Sequence, residues 1–343
     1  MKRKCLYLVE KNKITLEERD WDASLQPTQV LVKSHCSVVS AGTETARFQG
    51  LDGDIFPNET GSLTIGEIMA VGLEVKDYQI GERVACLASH ASVLKCETVP
   101  IYFGWNGQRV NARVPDGLSS QEAALSYPCV VSMAAIRLSD VRLGDEVLVI
   151  GAGLIGNTAA QLFQCAGASV ILADLSENRL TLARECGILS VLQPGKDGIK
   201  LEDAVRKWSG GRSLQHVVFA IEGGAQLISS VIPLLGQYGN LVLHGAFRRS
   251  ETIDAALFSQ LGGRCGRIIS TSAWGFPVLD DPRHIHSASI MAHFRQVLRL
   301  IADKKLHVQP LITIVRPEDC QQVFEDLIHK KEKYVGAVFD WTK

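Results

Sequence analysis

The sequence has little that would favour large or charged partners. Lys plus Arg total 36 and Asp plus Glu total 37, so neither sign of charge is in excess. No run of basic residues offers the patch that phosphate backbones or anionic lipids require. No apolar stretch is long enough to span a bilayer, and the first residues lack the apolar core of a signal peptide. We therefore expect a cytoplasmic protein that binds neither nucleic acid nor membranes.

The spacing of the cysteines excludes a structural metal lobe. The nine cysteines are an odd number, lie far apart and form no C-x-x-C pair. A structural zinc lobe normally needs four closely spaced thiolates, so none is expected here. A chain of 343 residues is long enough for two domains that need neither metals nor disulfides for stability. We expect reduced thiols that are mostly buried.

The sequence divides into a β-rich part and an α/β part. Up to about residue 125, short β-branched runs are broken by Gly, Pro and Asn, which is typical of an antiparallel, barrel-like β unit. From Val147 onward, apolar strands alternate with helical stretches, which predicts a parallel sheet flanked by helices. We expect the helix and apolar strand that follow His293 to return to the first unit.

A glycine-rich segment follows the first strand of the α/β part. Gly151, Gly153 and Gly156 have G-x-G-x-x-G spacing, directly after a buried strand and at the start of a helix. The first glycine permits a tight turn, the second lets a pyrophosphate approach the backbone, and the third packs helix against strand. The N–H groups of Leu154, Ile155 and Gly156 at the helix N-terminus favour phosphate oxygens. This pattern predicts a dinucleotide site.

An acidic residue ends the next predicted strand, SVILAD. Asp174 lies 23 residues after Gly151 (174 − 151), where its carboxylate can accept hydrogen bonds from both ribose hydroxyls of NAD. The same carboxylate would repel the 2′-phosphate of NADP, and only Arg179 offers a possible counter-charge in the residues that follow. We therefore expect NAD as the cofactor.

With the nucleotide-binding unit second, the chain resembles the medium-chain dehydrogenase/reductase superfamily over nearly its whole length. SAGTE is similar to the family's C-x-T-D segment and GSLTIGEIMAVG to its G-H-E-x-x-G-x-V-x-x-V-G block. VPDGLSSQEAAL precedes the nucleotide unit as it does across the superfamily. The GTE segment, the short SHAS segment and the lack of a zinc lobe are most similar to the group containing bacteriochlorophyllide dehydrogenases.

The resemblance implies an α/β fold in which a Rossmann doubly wound parallel sheet is inserted in a GroES-like β-barrel catalytic domain. It implies a GroES-like catalytic domain at 1–129 and a Rossmann NAD-binding domain at 130–288. Residues 289–343 are then expected to return to the catalytic domain. The resemblance also implies a homodimer, because nucleotide domains of this superfamily pair their edge strands.

The superfamily's zinc ligands are missing at the aligned positions. Ala41 stands where the first catalytic thiolate belongs, Ser62 where the histidine belongs and Leu63 where the accompanying glutamate belongs. Only Cys129 matches a ligand position, and one thiolate cannot hold a catalytic zinc that normally needs three protein ligands. We expect no metal, and we expect Cys129 to be a small buried residue beside the nicotinamide.

The resemblance points to three residues that could handle the substrate proton. Thr43 matches the hydroxyl that relays this proton in zinc-containing relatives, although it could instead cap a short helix. Glu44 beside it could take part in the chemistry or brace the loop. His90 could accept the proton near neutral pH or be a structural histidine. Four other candidates are two loop histidines and two tryptophans that could line a pocket: His284, His286, Trp105 and Trp274.

These features favour an NAD-dependent oxidoreductase that interconverts a small secondary alcohol and a ketone by hydride transfer without catalytic zinc. One alternative is a zinc-free quinone or enoyl reductase-like enzyme. Such enzymes usually favour NADPH and lack the GTE-type segment, so Asp174 and Thr43 argue against it. A second alternative is a non-catalytic nucleotide-binding redox sensor, with which the loss of zinc ligands is compatible. The sequence identifies neither the alcohol nor the direction of the reaction.

Overall fold

The computed structural model describes residues 1–53, 55–99, 108–245, 251–280 and 288–343. The chain divides into two units. The first comprises Met1–Tyr127, Phe276–Lys304 and Leu311–Lys343, and the second comprises Pro128–Gly275 and Lys305–Pro310. The first segment of the first unit ends at residue 127, against 129 from the sequence, and the main segment of the second unit ends at residue 275, against 288.

The first unit contains a closed barrel, a smaller sheet and several helices. Its strands are β1 Lys2–Glu10, β2 Lys13–Asp20, β3 Gln29–Val38, β4 Asn58–Glu59, β5 Leu63–Val71, β6 Arg83–Leu87, β7 Val93–Glu97, β8 Arg109–Arg113, β15 Ile312–Val315 and β16 Gly336–Asp340. Its helices are α1 Ala41–Phe48, α2 Ser120–Ala124, α9 Ile290–Ala302 and α10 Cys320–His329.

The barrel closes because β3 pairs with two different neighbours. The strands follow one another in the order β3-β5-β6-β8-β7, and β7 pairs back onto β3. Val30, Val32, Ile68 and Val84 belong to the buried cluster that these strands share. The C-terminal strand β16 pairs antiparallel with β3, so the chain end returns to this unit as the sequence predicted.

Helix α1 is fixed by aromatic packing in the first unit. Phe48, at the end of α1, packs against Phe324 of α10 with ring centroids 5.5 Å apart. Both rings belong to a buried cluster that also includes Leu6 and Leu8 of β1 and Phe339 of β16. The packing of Phe48 therefore holds the helix that carries Thr43 and Glu44.

The second unit is a parallel sheet between two layers of helices. Its strands are β9 Glu146–Ile150, β10 Ser169–Ala173, β11 Val191–Leu192, β12 Leu214–Phe219, β13 Leu235–Leu243 and β14 Arg267–Ser270. Its helices are α3 Ser126–Ser139, α4 Leu154–Cys165, α5 Glu177–Glu185, α6 Leu201–Trp208, α7 Ala225–Val231 and α8 Ala256–Gly262. The first two residues of α3 belong to the first unit.

The strand order of this sheet is that of a dinucleotide-binding fold. In the described residues the order is β11-β10-β9-β12-β13-β14, and every pairing is parallel. Along β9, Val147 and Val149 pack in one buried cluster, while Leu148 and Ile150 pack in another on the opposite face. The closed barrel and the doubly wound sheet confirm the predicted fold class.

Two whole-chain features bear on the expectations from composition. All nine cysteines lie in described stretches and have free thiols. Seven of them are buried, and Cys165 and Cys265 are exposed. Among the described residues, no helix has both the length and the hydropathy that a membrane span requires.

Candidate functional site

In the glycine loop of the second unit, each of the three glycines has a different steric environment. Gly151 has φ +102°, in the region that favours glycine, and a Cβ there would lie 2.6 Å from Cγ2 of Ile221. A Cβ on Gly156 would lie 1.7 Å from the carbonyl oxygen of Gly151, so α4 packs on the loop only without that side chain. No atom lies within 4 Å of a Cβ built on Gly153, which leaves room beside the backbone. These three environments fit the roles that a pyrophosphate-binding loop needs.

The N-terminus of α4 has unused hydrogen-bond donors. Gly153 is the N-cap residue and has no side chain with which to cap the helix. The first intrahelical bond runs from the N–H of Asn157 to the carbonyl of Gly153, so the N–H groups of Leu154, Ile155 and Gly156 have no partner within the helix. Donors in this position are suited to an anion such as a phosphate.

Asp174 directly follows β10 and is held by backbone donors. Its Oδ2 accepts a hydrogen bond from the N–H of Ala152 at 2.7 Å, and its Oδ1 accepts one from the N–H of Ser176 at 2.8 Å. A carboxylate has about four lone-pair sites, so each oxygen can accept a further hydrogen bond. The side chain is thus fixed beside the glycine loop with capacity for ribose hydroxyls.

Arg179 lies against the same carboxylate. Its Nη1 is 3.6 Å from Oδ2 of Asp174. The backbone of Arg179 is positioned in the first turn of α5, where its N–H donates to the hydroxyl of Ser176 at 3.4 Å. The positive charge therefore partly offsets the negative charge of Asp174, which weakens the repulsion that a 2′-phosphate would meet.

Cys129 is completely buried in α3. Burial raises the pKa of its thiol well above the usual range, which keeps the sulfur protonated.

The positions of the superfamily's zinc ligands do not fit a zinc ion. Ala41 has no donor atom, and Leu63 is a fully buried apolar residue at the start of β5. The hydroxyl of Ser62 donates to Oε1 of Glu44 at 2.8 Å. Across the part of the chain that the structure describes, no three His, Cys, Asp or Glu residues are grouped as a metal would need. The donor set differs from the nitrogen, sulfur and carboxylate ligands that zinc takes.

Glu44 is the centre of a buried polar network in the first unit. Its side chain has no exposed surface. Each of its two carboxylate oxygens has two hydrogen-bond partners. Oε1 accepts from the N–H of Ser40 and from the hydroxyl of Ser62, each at 2.8 Å. Oε2 accepts from the hydroxyl of Thr60 at 3.0 Å and lies 2.9 Å from Nε2 of His90. Burial acts to raise the pKa of Glu44, but His90 and these donors hold it below the usual value.

His90 is also fully buried, and both ring nitrogens have partners. Nδ1 lies 2.7 Å from the hydroxyl oxygen of Ser37, which accepts a hydrogen bond from Nε1 of Trp341 at 2.9 Å. The indole N–H can only donate, so the hydroxyl proton of Ser37 stays available for Nδ1 of His90. Nε2 of His90 then carries the proton and donates to Glu44. The network therefore surrounds the carboxylate of Glu44 with hydrogen-bond donors.

Tyr127 extends this network at the end of the first unit. Its buried side chain is hydrogen-bonded to Ser62 and Ser40. Burial raises the pKa of the phenol, and the two hydroxyl partners act in the opposite direction.

Thr43 lies inside the first turn of α1 and is half-buried. The N-cap residue of this helix is Ser40, and its backbone N–H is satisfied by the side chain of Glu44. The hydroxyl of Thr43 therefore does not cap the helix, and the bracing role belongs to Glu44. Trp274 is half-buried in a short turn of the second unit. Three other sequence candidates lie outside the described residues: Trp105, His284 and His286.

Sequence reasoning missed most of the residues that surround Glu44. They come from β3, the turn before α1, the segment between β4 and β5, the end of the first unit and the C-terminus: Ser37, Ser40, Thr60, Tyr127 and Trp341. Ser62 was noticed only as a replaced zinc ligand. No local pattern marks these serines and threonines, because the fold alone brings them together.

Comparisons with known proteins agree with the fold. A family model described as zinc-binding dehydrogenase matches residues 155–275. The chain is 27% identical to D-guloside 3-dehydrogenase of Shigella flexneri over 226 residues, which are 66% of this chain and 61% of that protein. It is 29% identical to sorbitol dehydrogenase of Mus musculus over 267 residues, covering 66% of this chain and 74% of that protein.

A solved structure extends the similarity over almost the whole chain. Galactitol-1-phosphate dehydrogenase from Escherichia coli matches with a TM-score of 0.81 at 19% identity, covering 98% of this chain and 99% of that one. The curated match is shorter, since the aligned region spans only 61% of the guloside dehydrogenase. Together with the barrel, the doubly wound sheet and the glycine loop, these similarities show that the chain has the fold of the dehydrogenases that it matches.

Proposed function

We propose that this protein is an NAD-dependent oxidoreductase that interconverts a secondary alcohol and a ketone without catalytic zinc. The observation that carries the proposal is the loop of Gly151, Gly153 and Gly156 with Asp174 fixed beside it. The similar proteins are alcohol and polyol dehydrogenases by name, which supports the same class of reaction. When bound, the nicotinamide supplies or accepts a hydride at its C4 atom.

The choice of NAD over NADP rests on Asp174. Its two oxygens are oriented by the N–H groups of Ala152 and Ser176 and can accept hydrogen bonds from ribose hydroxyls. A 2′-phosphate at the same place would remove one of these hydrogen bonds and add repulsion. Arg179 is 3.6 Å from the carboxylate and already serves as its partner, so it is poorly placed to favour NADP.

The substrate proton is assigned to a path that begins at Thr43. A hydride leaves an alcohol carbon easily only when the hydroxyl proton is being removed, and zinc normally assists as a Lewis acid. Thr43 can pass on a proton but cannot hold one, so in this proposal a chain of water molecules takes the proton from its hydroxyl and releases it to solvent. The next residue of α1 is Glu44, whose buried carboxylate is hydrogen-bonded to His90. In this arrangement Glu44 and His90 are positioning residues that act through the hydroxyls around them.

His90 acts in this proposal through Glu44 rather than by touching the substrate. The ring has no exposed surface and uses both nitrogens within the first unit. For Nδ1 to accept a proton, the hydroxyl of Ser37 would have to rotate away from it. The proposal therefore predicts that a residue able to donate to Glu44 can partly replace His90.

The absence of catalytic zinc is part of the proposal. It rests on the side chains at the aligned positions, since Ala41 and Leu63 have no donor atom and the hydroxyl of Ser62 donates to Glu44. Cys129 is proposed to lie beside the nicotinamide as a small apolar contact. The similarity to bacteriochlorophyllide dehydrogenases and the cytoplasmic location stay predictions.

A homodimer is proposed on the basis of an open sheet edge. In the described residues, β14 pairs only with β13 and forms one edge of the parallel sheet. Ile268 on this strand is 41% exposed. An open edge with an exposed apolar side chain favours association, and pairing with a second copy across a two-fold axis would cover it.

A substrate screen tests the proposed function. Secondary alcohols are supplied with NAD, and ketones and activated enones with NADH, while absorbance at the nicotinamide band is followed. The proposal expects turnover with alcohol and ketone pairs. Turnover of enones alone would favour a reductase of C=C bonds, and binding of NADH with no turnover of any substrate would favour a redox sensor.

A further inference from the structure

A cavity lies at the amino ends of three strands of the parallel sheet. Its volume is about 340 Å³, and the described residues that line it all belong to the second unit. Among them, Glu146 is the first residue of β9, Ser169 is the first residue of β10, and Ser190 directly precedes β11. Small-molecule sites usually have volumes of about 300–1,000 Å³. The cavity is therefore large enough for a small ligand.

This cavity is at the opposite edge of the sheet from the glycine loop. The loop and Asp174 follow the carboxyl ends of β9 and β10, which is the edge where dinucleotides bind in sheets of this order. Strand β9 has five residues, and a strand of that length spans about 16 Å. A ligand in the cavity would therefore be separate from the proposed cofactor.

The carboxylate of Glu146 is buried with one oxygen unpaired. Its side chain is 8% exposed, and its backbone N–H donates to Oε1 of Gln215 at 2.7 Å. Within the described residues, Oε2 of Glu146 is closed to solvent and has no hydrogen-bond partner. Buried polar atoms are rarely left unpaired, because the lost hydration is not replaced. Such an oxygen on a residue that lines a cavity indicates that a ligand supplies the missing donor.

Arg212, which also lines the cavity, pairs with only the other oxygen of this carboxylate. Its Nε donates to Oε1 of Glu146 at 2.8 Å, and its Nη2 donates to the same atom. Arginine commonly binds a carboxylate with one donor for each oxygen, so this pair is incomplete. A guanidinium has five N–H donors, and Arg212 therefore keeps donors for a second acceptor.

The two partners of this ion pair differ in their freedom to move. The side chain of Arg212 is 70% exposed, whereas that of Glu146 is nearly enclosed. A change of rotamer at Arg212 would open Oε2 of Glu146 to a ligand, because the guanidinium lies on the solvent side of the carboxylate. That change separates two charges unless the ligand pairs with both of them.

The charges of the pair define the polar part of the ligand. Glu146 needs a donor, and Arg212 needs an acceptor once it has moved. Hydrogen bonds between an ammonium and a carboxylate, or between a guanidinium and a carboxylate, are stronger than those between neutral groups. A molecule that carries both an ammonium group and a carboxylate can insert between the two side chains and leave every charge paired.

Apolar side chains define the remaining part of the ligand. They belong to four of the residues that line the cavity: Ala168, Val170, Leu189 and Trp208. Leu189 is 83% exposed, so contact with an apolar group would remove part of its surface from water. The ligand therefore carries an apolar group next to its two charges.

We propose that this cavity binds an α-amino acid with an apolar side chain. The ammonium group of the amino acid donates to Oε2 of Glu146, and its carboxylate accepts hydrogen bonds from Arg212. The inference goes beyond the proposed function and does not depend on it, because it uses neither the glycine loop nor Asp174 nor the network around Glu44.

Three amino acids and their analogues test the ligand chemistry. Dissociation constants of L-valine, L-leucine and L-phenylalanine with the purified full chain, without cofactor, are measured by ligand-observed NMR. The tightest binder is then compared with its N-acetyl derivative, which has no ammonium group, and with the amine that lacks its carboxylate. The amino acid is expected to bind at least about tenfold more tightly than either analogue.

Two variants test the residues. Glu146→Gln keeps the size of the side chain but removes its charge, and Arg212→Gln removes the guanidinium. Each should weaken binding of the amino acid by about tenfold or more. Arg212→Gln should also abolish the preference over the amine, and Glu146→Gln should abolish the preference over the N-acetyl derivative.

The control is Arg206→Gln, which changes another exposed arginine of the same unit and should bind as the wild type does. Circular dichroism shows whether Glu146→Gln is folded, and Arg212→Gln tests the site independently because its side chain lies on the surface. No saturable binding of any of the three amino acids at millimolar concentrations would overturn the inference, and so would binding that both variants leave unchanged. Neither result bears on the cofactor, whose binding is measured separately by titration with NAD.

Discussion

The carboxylate of Glu44 and the imidazole of His90 lie 2.9 Å apart, and neither side chain has any exposed surface. A buried carboxylate is tolerated only when donors surround it, and here four donors do so. Removing one partner of such a pair typically costs about 3–5 kcal/mol of stability. The pair is therefore a fixed element of the first unit, and the chemistry proposed for Thr43 depends on it.

Thr43→Val and His90→Ala should each lower turnover by about a hundredfold while the affinity for NAD stays nearly unchanged. Valine keeps the shape of threonine but has no hydroxyl to relay a proton. Alanine at position 90 leaves Glu44 without one of its donors. Steady-state kinetics under conditions where chemistry limits the rate, together with NAD titration, measure both effects.

The controls for these variants separate positioning from loss of structure. His90→Gln keeps an amide donor that can reach Glu44 and should restore part of the turnover, with a changed pH dependence. His329→Ala removes an exposed histidine of the same unit and should behave as wild type. Near-wild-type turnover in both Thr43→Val and His90→Ala would remove the proposed proton path.

The ion pair of Arg3 and Glu59 should make stability depend on acid pH. Nη1 and Nη2 of Arg3 donate to the two oxygens of Glu59 at 2.6 and 2.9 Å, next to Thr60, which donates to Glu44. Burial acts to raise the pKa of Glu59, but Arg3 lowers it from 4.5 to about 2. Because the folded pKa is depressed, the stabilisation is fully present above pH 4.5 and is lost as pH falls towards 2.

Urea unfolding at several pH values measures this contribution. The difference in free energy of unfolding between wild type and Glu59→Gln should be largest near neutral pH and shrink below about pH 4.5. Glu332→Gln, which alters an exposed glutamate, should follow the wild type at every pH. A difference for Glu59→Gln that is independent of pH would show that the carboxylate charge is not what stabilises this site.

Asp174 should decide the choice between the two dinucleotides. The wild type is expected to bind NAD about tenfold or more tighter than NADP, since repulsion and a lost hydrogen bond amount to about 1–3 kcal/mol. Asp174→Ser should narrow this ratio, whereas Asp203→Ser, at an exposed position of the same unit, should not. Equal affinities of the wild type for both dinucleotides would contradict the role of Asp174.

The sequence was sufficient to predict a glycine loop between a strand and a helix because its signal is local. Gly151, Gly153 and Gly156 follow a buried strand within six residues, and each has the steric environment that the spacing implies. The return of β16 to the barrel was also predictable, because an apolar strand after the last helix needs a sheet to join. The assignment of these glycines to NAD stays a proposal.

The polar network around Glu44 could not be predicted from the sequence. Ser37, Thr60 and Trp341 are far apart in the chain, and each is an ordinary residue in its own segment. Pairing of β3 with β5 and β16 brings these segments together.

The proposed dimer should form through β14. Light scattering at micromolar concentration is expected to give the mass of two chains. Ile268→Lys places a charge at the open edge and should shift the protein towards the monomer, because a charged edge disfavours strand pairing. Leu189→Lys, at another exposed position of the second unit, should leave the dimer intact. A wild-type monomer would refute the proposed assembly.

The most direct test of the account is turnover of a secondary alcohol with NAD by protein whose metal content is known. The purified chain is treated with a strong chelator, its zinc is measured by elemental analysis, and the formation of NADH is followed before and after treatment. Since Ala41, Ser62 and Leu63 offer no zinc ligand, we predict turnover that the chelator does not change and no stoichiometric zinc. Turnover that is lost on chelation and restored by added zinc, with one tightly held ion per chain, would contradict it.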